Sequence, residues 1–250
     1  MRVIAVASAK GGVGKTTISA NLAAAIAQTG RPVLAIDLDP QNAMQWHFGG
    51  VQADAVRGLS ALTDGRISFA RLIQKNSTGI HFIPFGITGE LKRQKFENLL
   101  LQDQTWLRSR LESALQNPDT VVILDTPPGP SAYLHQAIYA ADFVLAVVLA
   151  DAASYVTLPE IEELIQAYGG SSGRYDSAYV INQAGGRQLS QDVVKMYASQ
   201  LGDRLIPVYV PESSAVEESL AFEQTAITYA PENPAAIAIL QIRDWLLTKF

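Results

Sequence analysis

Apolar residues along this 250-residue chain gather in seven short continuous runs, at 3–7, 32–37, 80–84, 120–125, 143–149, 177–182 and 205–208. Continuous runs, rather than alternating ones, mark strands that are covered on both faces. Between them apolar positions recur at helical spacing over 17–28, 96–116, 132–140, 158–168, 192–200 and 234–247. Strands alternating with helices predict an α/β fold: a doubly wound, mostly parallel sheet flanked by helices, with ligands at the strands' C-terminal ends. No repeat, low-complexity tract or linker breaks this rhythm. The run Gly169-Gly170-Ser171-Ser172-Gly173 is too short to separate domains and is read as a surface loop. A single domain over residues 1–250 is therefore expected. Only the stretch 49–79 has weak periodicity, and a small helical excursion that contacts a partner is expected there.

The first strand runs directly into Ala9-Lys10-Gly11-Gly12-Val13-Gly14-Lys15-Thr16-Thr17, which is followed by Ile18, Leu22, Ala25 and Ile26 at helical spacing. Strand, glycine loop and helix in that order form the context that a phosphate-binding P-loop requires. The glycines let consecutive backbone N–H groups curl around phosphate oxygens, and the helix N-terminus adds a favourable dipole. Lys15 would reach the β- and γ-phosphates, and the Thr16 hydroxyl would hold Mg²⁺. One detail departs from the general pattern G-x-x-x-x-G-K-[ST]: its first glycine position is Ala9, and a second lysine, Lys10, follows.

Composition narrows the class. There are no cysteines, which excludes disulfides, zinc–thiolate sites and cysteine-ligated iron–sulfur clusters. Residues 1–4 read as the opening of a strand rather than a signal peptide, because the apolar run is short and leads straight into the P-loop. No apolar stretch approaches the ~20 residues needed to span a bilayer. The formal net charge of −5 argues against strong non-specific DNA binding by the whole surface.

The strand ends carry further chemistry. Asp37-Leu38-Asp39-Pro40-Gln41 follows the second run, and Asp125-Thr126-Pro127-Pro128-Gly129 follows the fourth. Carboxylates on two strand ends converging near a P-loop suit a Mg²⁺·ATP site, since this hard cation keeps several waters that carboxylates can hold. Asp125 occupies the place of a Walker B aspartate. His47, His81 and His135 lack metal-ligand spacing and are read as surface or core residues.

The form K-G-G-x-G-K-[ST] resembles the deviant Walker A motif of the MinD/ParA class of P-loop ATPases. In that class the early lysine reaches across a dimer interface to the phosphates held by the other subunit. Lys10 matches that position, so the resemblance implies an ATP-dependent homodimer. It also implies that Asp39 orients the attacking water and that Asp37 lies nearer the metal. The resemblance further implies that Asn182 faces the adenine ring, where an amide can both donate and accept. Pro211-Glu212-Ser213 is similar to a P-E-D segment beside adenine, with a serine in place of the aspartate. Nucleotide would thus be held by Lys10, Gly11, Gly12, Val13, Gly14, Lys15, Thr16, Thr17, Asn182 and Pro211. Thr16, Asp37 and Asp125 would serve the metal, and Lys10, Lys15 and Asp39 would carry catalysis.

Ile83-Pro84-Phe85-Gly86, the Asn182 strand end and the stretch from Arg204-Leu205-Ile206-Pro207 to Tyr229 resemble the BcsQ group, ParA-like proteins of bacterial cellulose-synthesis operons. The resemblance implies an ATPase switch in cellulose synthesis and secretion, with protein partners in that assembly. Two further roles are compatible with the same class. A partition ATPase of ParA type would bind DNA, for which the candidates are Lys92-Arg93-Lys95 with Arg108 and Arg110, a pattern more typical of a solvated helix face. A MinD-like positioning ATPase needs a basic interfacial tail, and the final helix has only Arg243 and Lys249 as cations, too few for strong lipid binding. A nucleotide-dependent scaffold with negligible turnover is the alternative of another class. Neither DNA nor direct membrane contact is favoured. The expected location is the cytoplasm, with any recruitment to the inner membrane or a cell pole made through partners.

Overall fold

A computed structural model describes residues 1–50, 58–64, 67–170, 173 and 175–249. Parts of two expectations, the excursion over 49–79 and the loop 169–173, lie outside the described residues. Among the described residues seven strands build one sheet: β1 Arg2–Ala7, β2 Val33–Asp37, β3 Gln74–Lys75, β4 His81–Ile83, β5 Val121–Asp125, β6 Phe143–Leu149 and β7 Asp176–Asn182. Their order is β3-β4-β2-β5-β1-β6-β7. Every pairing is parallel except β3 with β4 at one edge. Register decides what meets at the strand ends, because Asp37 of β2 stands opposite Asp125 of β5. The glycine loop leaves β1, which pairs with β5 on the other side.

Helices α1 Lys15–Ala27, α2 Glu90–Gln102, α3 Trp106–Ala114, α4 Ala132–Ala140, α5 Ala152–Val156, α6 Leu158–Gly169, α7 Gln188–Leu201, α8 Ser214–Ala221, α9 Ala226–Tyr229 and α10 Pro234–Leu247 cover the sheet. Two apolar clusters, one on each face, account for the unbroken apolar runs. Leu100, Trp106, Leu107, Tyr133 and Ile161 belong to one, while Ile18, Leu22, Ile26, Ile239 and Ile242 belong to the other. The second face is alanine-rich, with Ala20, Ala23, Ala25, Ala235 and Ala236 fully buried; such small side chains let α1 and α10 approach closely. Residue Arg243 also donates to the Ala25 carbonyl at 3.2 Å. The final helix therefore has its apolar side committed to the core.

Two expected elements differ. The helix expected over 96–116 is two helices, α2 and α3. Asp103 interrupts it by accepting from the Thr105 N–H and hydroxyl at 3.0 and 2.7 Å. Buried Gln136 then satisfies the backbone groups freed by the break. It donates to the Leu100 and Asp103 carbonyls at 2.8 and 2.6 Å and accepts from the Leu107 N–H at 3.0 Å. The run 205–208 is no ladder strand. Ile206 and Val210 donate to the Tyr179 and Ile181 carbonyls, so successive donors stand four residues apart against two on β7, and only isolated bridges form beside that strand. In the described part of 49–79, the expected excursion consists of 3₁₀ turns at Leu59–Asp64 and Phe69–Leu72 and of strand β3.

Candidate functional site

The glycine loop enters α1 through Gly14, whose φ of +85° few side-chain-bearing residues adopt. No side chain caps this helix, and its first turn holds no acid. The first-turn N–H groups are thus left for an outside acceptor. Gly14 also has no room for a side chain, since a Cβ there would lie 2.3 Å from Asn182 Nδ2. That amide donates to the Val13 carbonyl at 2.8 Å and so supports the loop from below.

Lys15 is 7% exposed. Burial lowers its pKa, against the pull of Asp125 and Asp39. Its ammonium donates to the Ser8 hydroxyl at 2.9 Å, and that hydroxyl donates to the Lys10 carbonyl at 2.7 Å. A buried cation with three donors and one neutral hydrogen-bond partner is matched to an incoming anion. Lys10 is half-buried at the loop's opening, and its ammonium makes no ion pair with any described residue.

Asp125 is wholly buried, and two hydroxyls of α1 hold it. Thr16 donates to Oδ2 at 2.7 Å and Ser19, one turn further along, to Oδ1 at 2.9 Å. Burial pushes its pKa up to about 6; Thr16, Ser19 and Lys15 oppose the rise and Asp39 adds to it. Asp37 is equally buried, and burial, reinforced by the charge of Asp125, holds its pKa well above the carboxylate range. Its two oxygens accept from the Asp39 and Met44 N–H groups at 2.9 and 3.0 Å, which fixes the loop after β2. Asp39 is half-buried on that loop and accepts from the Gln41 N–H at 2.9 Å. The loop's far side is tied down by Asn42, which accepts from the Gly86 N–H at 3.2 Å.

The segment after β5 closes the other wall. Thr126 donates to the Val6 carbonyl at 2.7 Å and Gly129 to the Ser8 carbonyl at 3.1 Å. On the side of β7, a cleft is lined by Gly14, Thr17, Asn182, Pro211, Ser213, Val216 and Glu217 among others. The fold therefore gathers Lys15, Thr16, Asp37, Asp39 and Asp125 at one end of the sheet, with Asn182 and Pro211 in an adjoining cleft. Among the described residues no three His, Asp or Glu side chains form a metal cage. A hard cation would instead draw on the Thr16 hydroxyl, a carboxylate, ligand oxygens and water, as Mg²⁺ commonly does.

Ser8 and Ser19 belong to the site although no motif in the sequence marks them. Ser19 carries a signal, since it lies three residues after Thr16 on the same side of the helix. Ser8 had little beyond being a polar residue at the end of a buried strand. The histidines stay apart: His47 is buried, with its pKa lowered by burial to about 4, and His135 packs on Tyr168 at 4.9 Å.

Residues 1–247 match the family described as cellulose biosynthesis protein BcsQ. The chromosome-partitioning ATPase Soj of Thermus thermophilus is 30% identical over 256 residues, spanning 100% of this chain and 96% of Soj. Cellulose biosynthesis protein BcsQ of Salmonella typhi is 27% identical over 255 residues, spanning 99% of this chain and 94% of that protein. Among solved structures, the septum site-determining protein MinD of Pyrococcus horikoshii, complexed with Mg-ADP, has a TM-score of 0.79. It is 21% identical and covers 98% of this chain and 95% of its own, a likeness of fold. The chain belongs to the BcsQ family and, with it, to the ParA/MinD-type P-loop ATPases.

Proposed function

We propose that this chain is a Mg²⁺-dependent ATPase, one P-loop domain over residues 1–250, that dimerises on binding ATP. It would act as an assembly switch in bacterial cellulose synthesis and secretion. The observation that carries the reading is Lys15: a buried ammonium, hydrogen-bonded to one neutral hydroxyl, beneath a loop and a helix end whose N–H groups are uncapped. An ATP triphosphate supplies the missing negative charge. Gly11, Gly12, Val13, Gly14, Thr16 and Thr17 would present N–H groups to it, and Asn182 and Pro211 would border the adenine.

Bound Mg²⁺ would supply neutralising charge on the phosphates. The donor set fits it: the Thr16 oxygen keeps lone pairs for the metal while its hydrogen stays on Asp125. Asp37 lies beside them through the β2–β5 register and would hold water of the metal's outer shell. Asp39 orients the attacking water from the fixed loop, and Lys10 reaches the phosphates bound by the second subunit. Hydrolysis removes those bridging contacts, and differential affinity of this kind is what a ligand-driven switch requires.

The match to the BcsQ family supports the cellulose role. Charge placement favours a protein partner over DNA. Arg93 bridges Glu90 and Glu97, Arg108 pairs with Glu112 and Asp142, and Arg110 stacks 4.0 Å over Trp106. No helix among the described residues is long and apolar enough to cross a membrane; a cytoplasmic location with recruitment through partners belongs to the proposal. Light scattering with and without ATP tests its core. Lys15→Ala should lose nucleotide binding. Lys10→Ala should keep nucleotide yet stay monomeric, and an ATP-dependent dimer of that variant would refute the crossing lysine. Phosphate release from the parent separates an ATPase from a scaffold.

A further inference from the structure

One face of the molecule, beside the nucleotide site, has an unusual composition. The 3₁₀ turn Met44–Phe48 packs against α8, and His47 lines one pocket together with Glu223 and Gln224 just beyond that helix. Large apolar side chains stand in solvent on both elements: Trp46 is 46% exposed, Leu220 41% and Phe222 62%. Phe222 stacks on Tyr229 with ring centroids 5.3 Å apart, and the Tyr229 hydroxyl donates to Glu218 at 3.3 Å. The stacking holds Phe222 in place, so it loses little freedom when something covers it. The two chain segments that form this face carry charge of one sign. Between residues 205 and 242 the chain carries five glutamates and no lysine or arginine. All five, Glu212, Glu217, Glu218, Glu223 and Glu232, are exposed. Residues 32–50 likewise contain no lysine or arginine.

We infer that this face is a docking surface for a cationic amphipathic helix of a partner protein, with Trp46 and Phe222 as apolar anchors and Glu218 and Glu223 as the acidic rim. Exposed aromatic anchors ringed by single-sign charge match a helix with an apolar stripe between lysines or arginines. A second copy of this chain would set acid against acid, which costs affinity. Anionic lipid and nucleic acid are repelled for the same reason.

The face also touches both sides of the nucleotide site. Trp46 lies two residues beyond Met44, whose N–H is held by Asp37. The start of α8 contributes Val216 and Glu217 to the cleft that holds Asn182. A partner seated here would therefore be coupled to nucleotide state, and the coupling would run equally in both directions. That coupling rests on the switch reading above; the docking itself does not.

The test uses the full chain, with and without ATP, and a synthetic Lys/Leu amphipathic peptide of about 18 residues. A scrambled peptide of equal charge serves as control, in salt of ~0.15 M. Trp46 fluorescence, identified by its loss in Trp46→Phe, reports binding, and a fluorescent ATP analogue reports loading in the same samples. The expected result is saturable binding of the helical peptide, weakened about tenfold by Phe222→Ala and by Glu218→Lys, with affinity changing about fivefold between the ATP-bound and free states. Equal binding of the scrambled peptide overturns the docking proposal, as does parent-like binding by Phe222→Ala. So does burial of Trp46 when ATP alone drives dimerisation, or Phe222-dependent binding to phosphatidylglycerol vesicles. Peptide binding without nucleotide loading would sink the switch reading and leave the docking surface standing. Loading without peptide binding would do the reverse.

Discussion

Replacing Asp125 with asparagine should stabilise the ligand-free protein while removing its response to Mg²⁺. Asp125 is fully buried, and burial raises its pKa from 3.8 to about 6 even though Thr16, Ser19 and Lys15 oppose the rise. The native state therefore binds this proton more tightly than the unfolded chain. Between about pH 4 and pH 6 native stability falls as pH rises, and the full cost stands above that window. A rise of about 2 pH units corresponds to about 3 kcal/mol at neutral pH. For a domain of this size that is worth about 6–12 °C in Tm, taken as a ceiling. Asparagine can still accept from one hydroxyl and donate to the other, and half-exposed Thr16 can turn its own hydrogen to water. Removing the charge also eases Asp37, whose upward shift owes its second-largest part to Asp125. Calorimetry on parent and Asp125→Asn, without nucleotide, at about pH 7.5 and about pH 4.5 measures the effect. The variant should melt higher at the first pH and converge with the parent at the second. A variant less stable at the higher pH, or a gain independent of pH, would refute the reasoning.

Asp39→Ala should bind ATP, hydrolyse it about a hundredfold more slowly and accumulate as the ATP-bound dimer; unchanged single-turnover phosphate release would move the water-orienting role to Asp37. Gly14→Ala forces a side chain into φ +85° and against Asn182 Nδ2, which should weaken nucleotide affinity by at least about tenfold; a fluorescent-nucleotide titration giving the parent's value would contradict it. Ser19→Ala leaves Asp125 Oδ1 without its hydroxyl and should raise the Mg²⁺ concentration needed for nucleotide binding several-fold while binding without Mg²⁺ stays put. Identical Mg²⁺ titrations would show that Thr16 alone positions the carboxylate.

Much of the fold was legible in the apolar pattern. Six of the seven expected strands are present, because a strand buried on both faces must be apolar throughout and no other short element in this chain has that need. The failures share one cause: backbone hydrogen bonding that the pattern does not record. Helix 96–116 looks continuous, yet Asp103 ends its first part and Gln136, more than thirty residues away in sequence, satisfies the break. The run 205–208 looks like a strand, yet its donors to β7, Ile206 and Val210, are too far apart along the chain to match the spacing of the Tyr179 and Ile181 carbonyls. The antiparallel pair β3–β4 is two residues long, too short for any periodicity.

The site divides in a similar way. By itself the sequence determined the candidates, the glycine loop, two lysines and three aspartates, because phosphate binding demands backbone N–H groups in a fixed order and that order is local in the chain. It also determined the absence of thiol chemistry. Only the tertiary structure decided how these parts act on one another. The β2–β5 register sets Asp37 opposite Asp125, and the closing of α1 onto β5 gives that carboxylate both its hydroxyls. The depth of the strand ends raises both pKa values and leaves Lys15 beside neutral Ser8. The same holds for the acidic aromatic face, whose two halves lie more than 150 residues apart. Charge, burial and hydrogen bonding are properties of neighbourhoods in space, and those neighbourhoods exist only once the sheet has brought distant strand ends together.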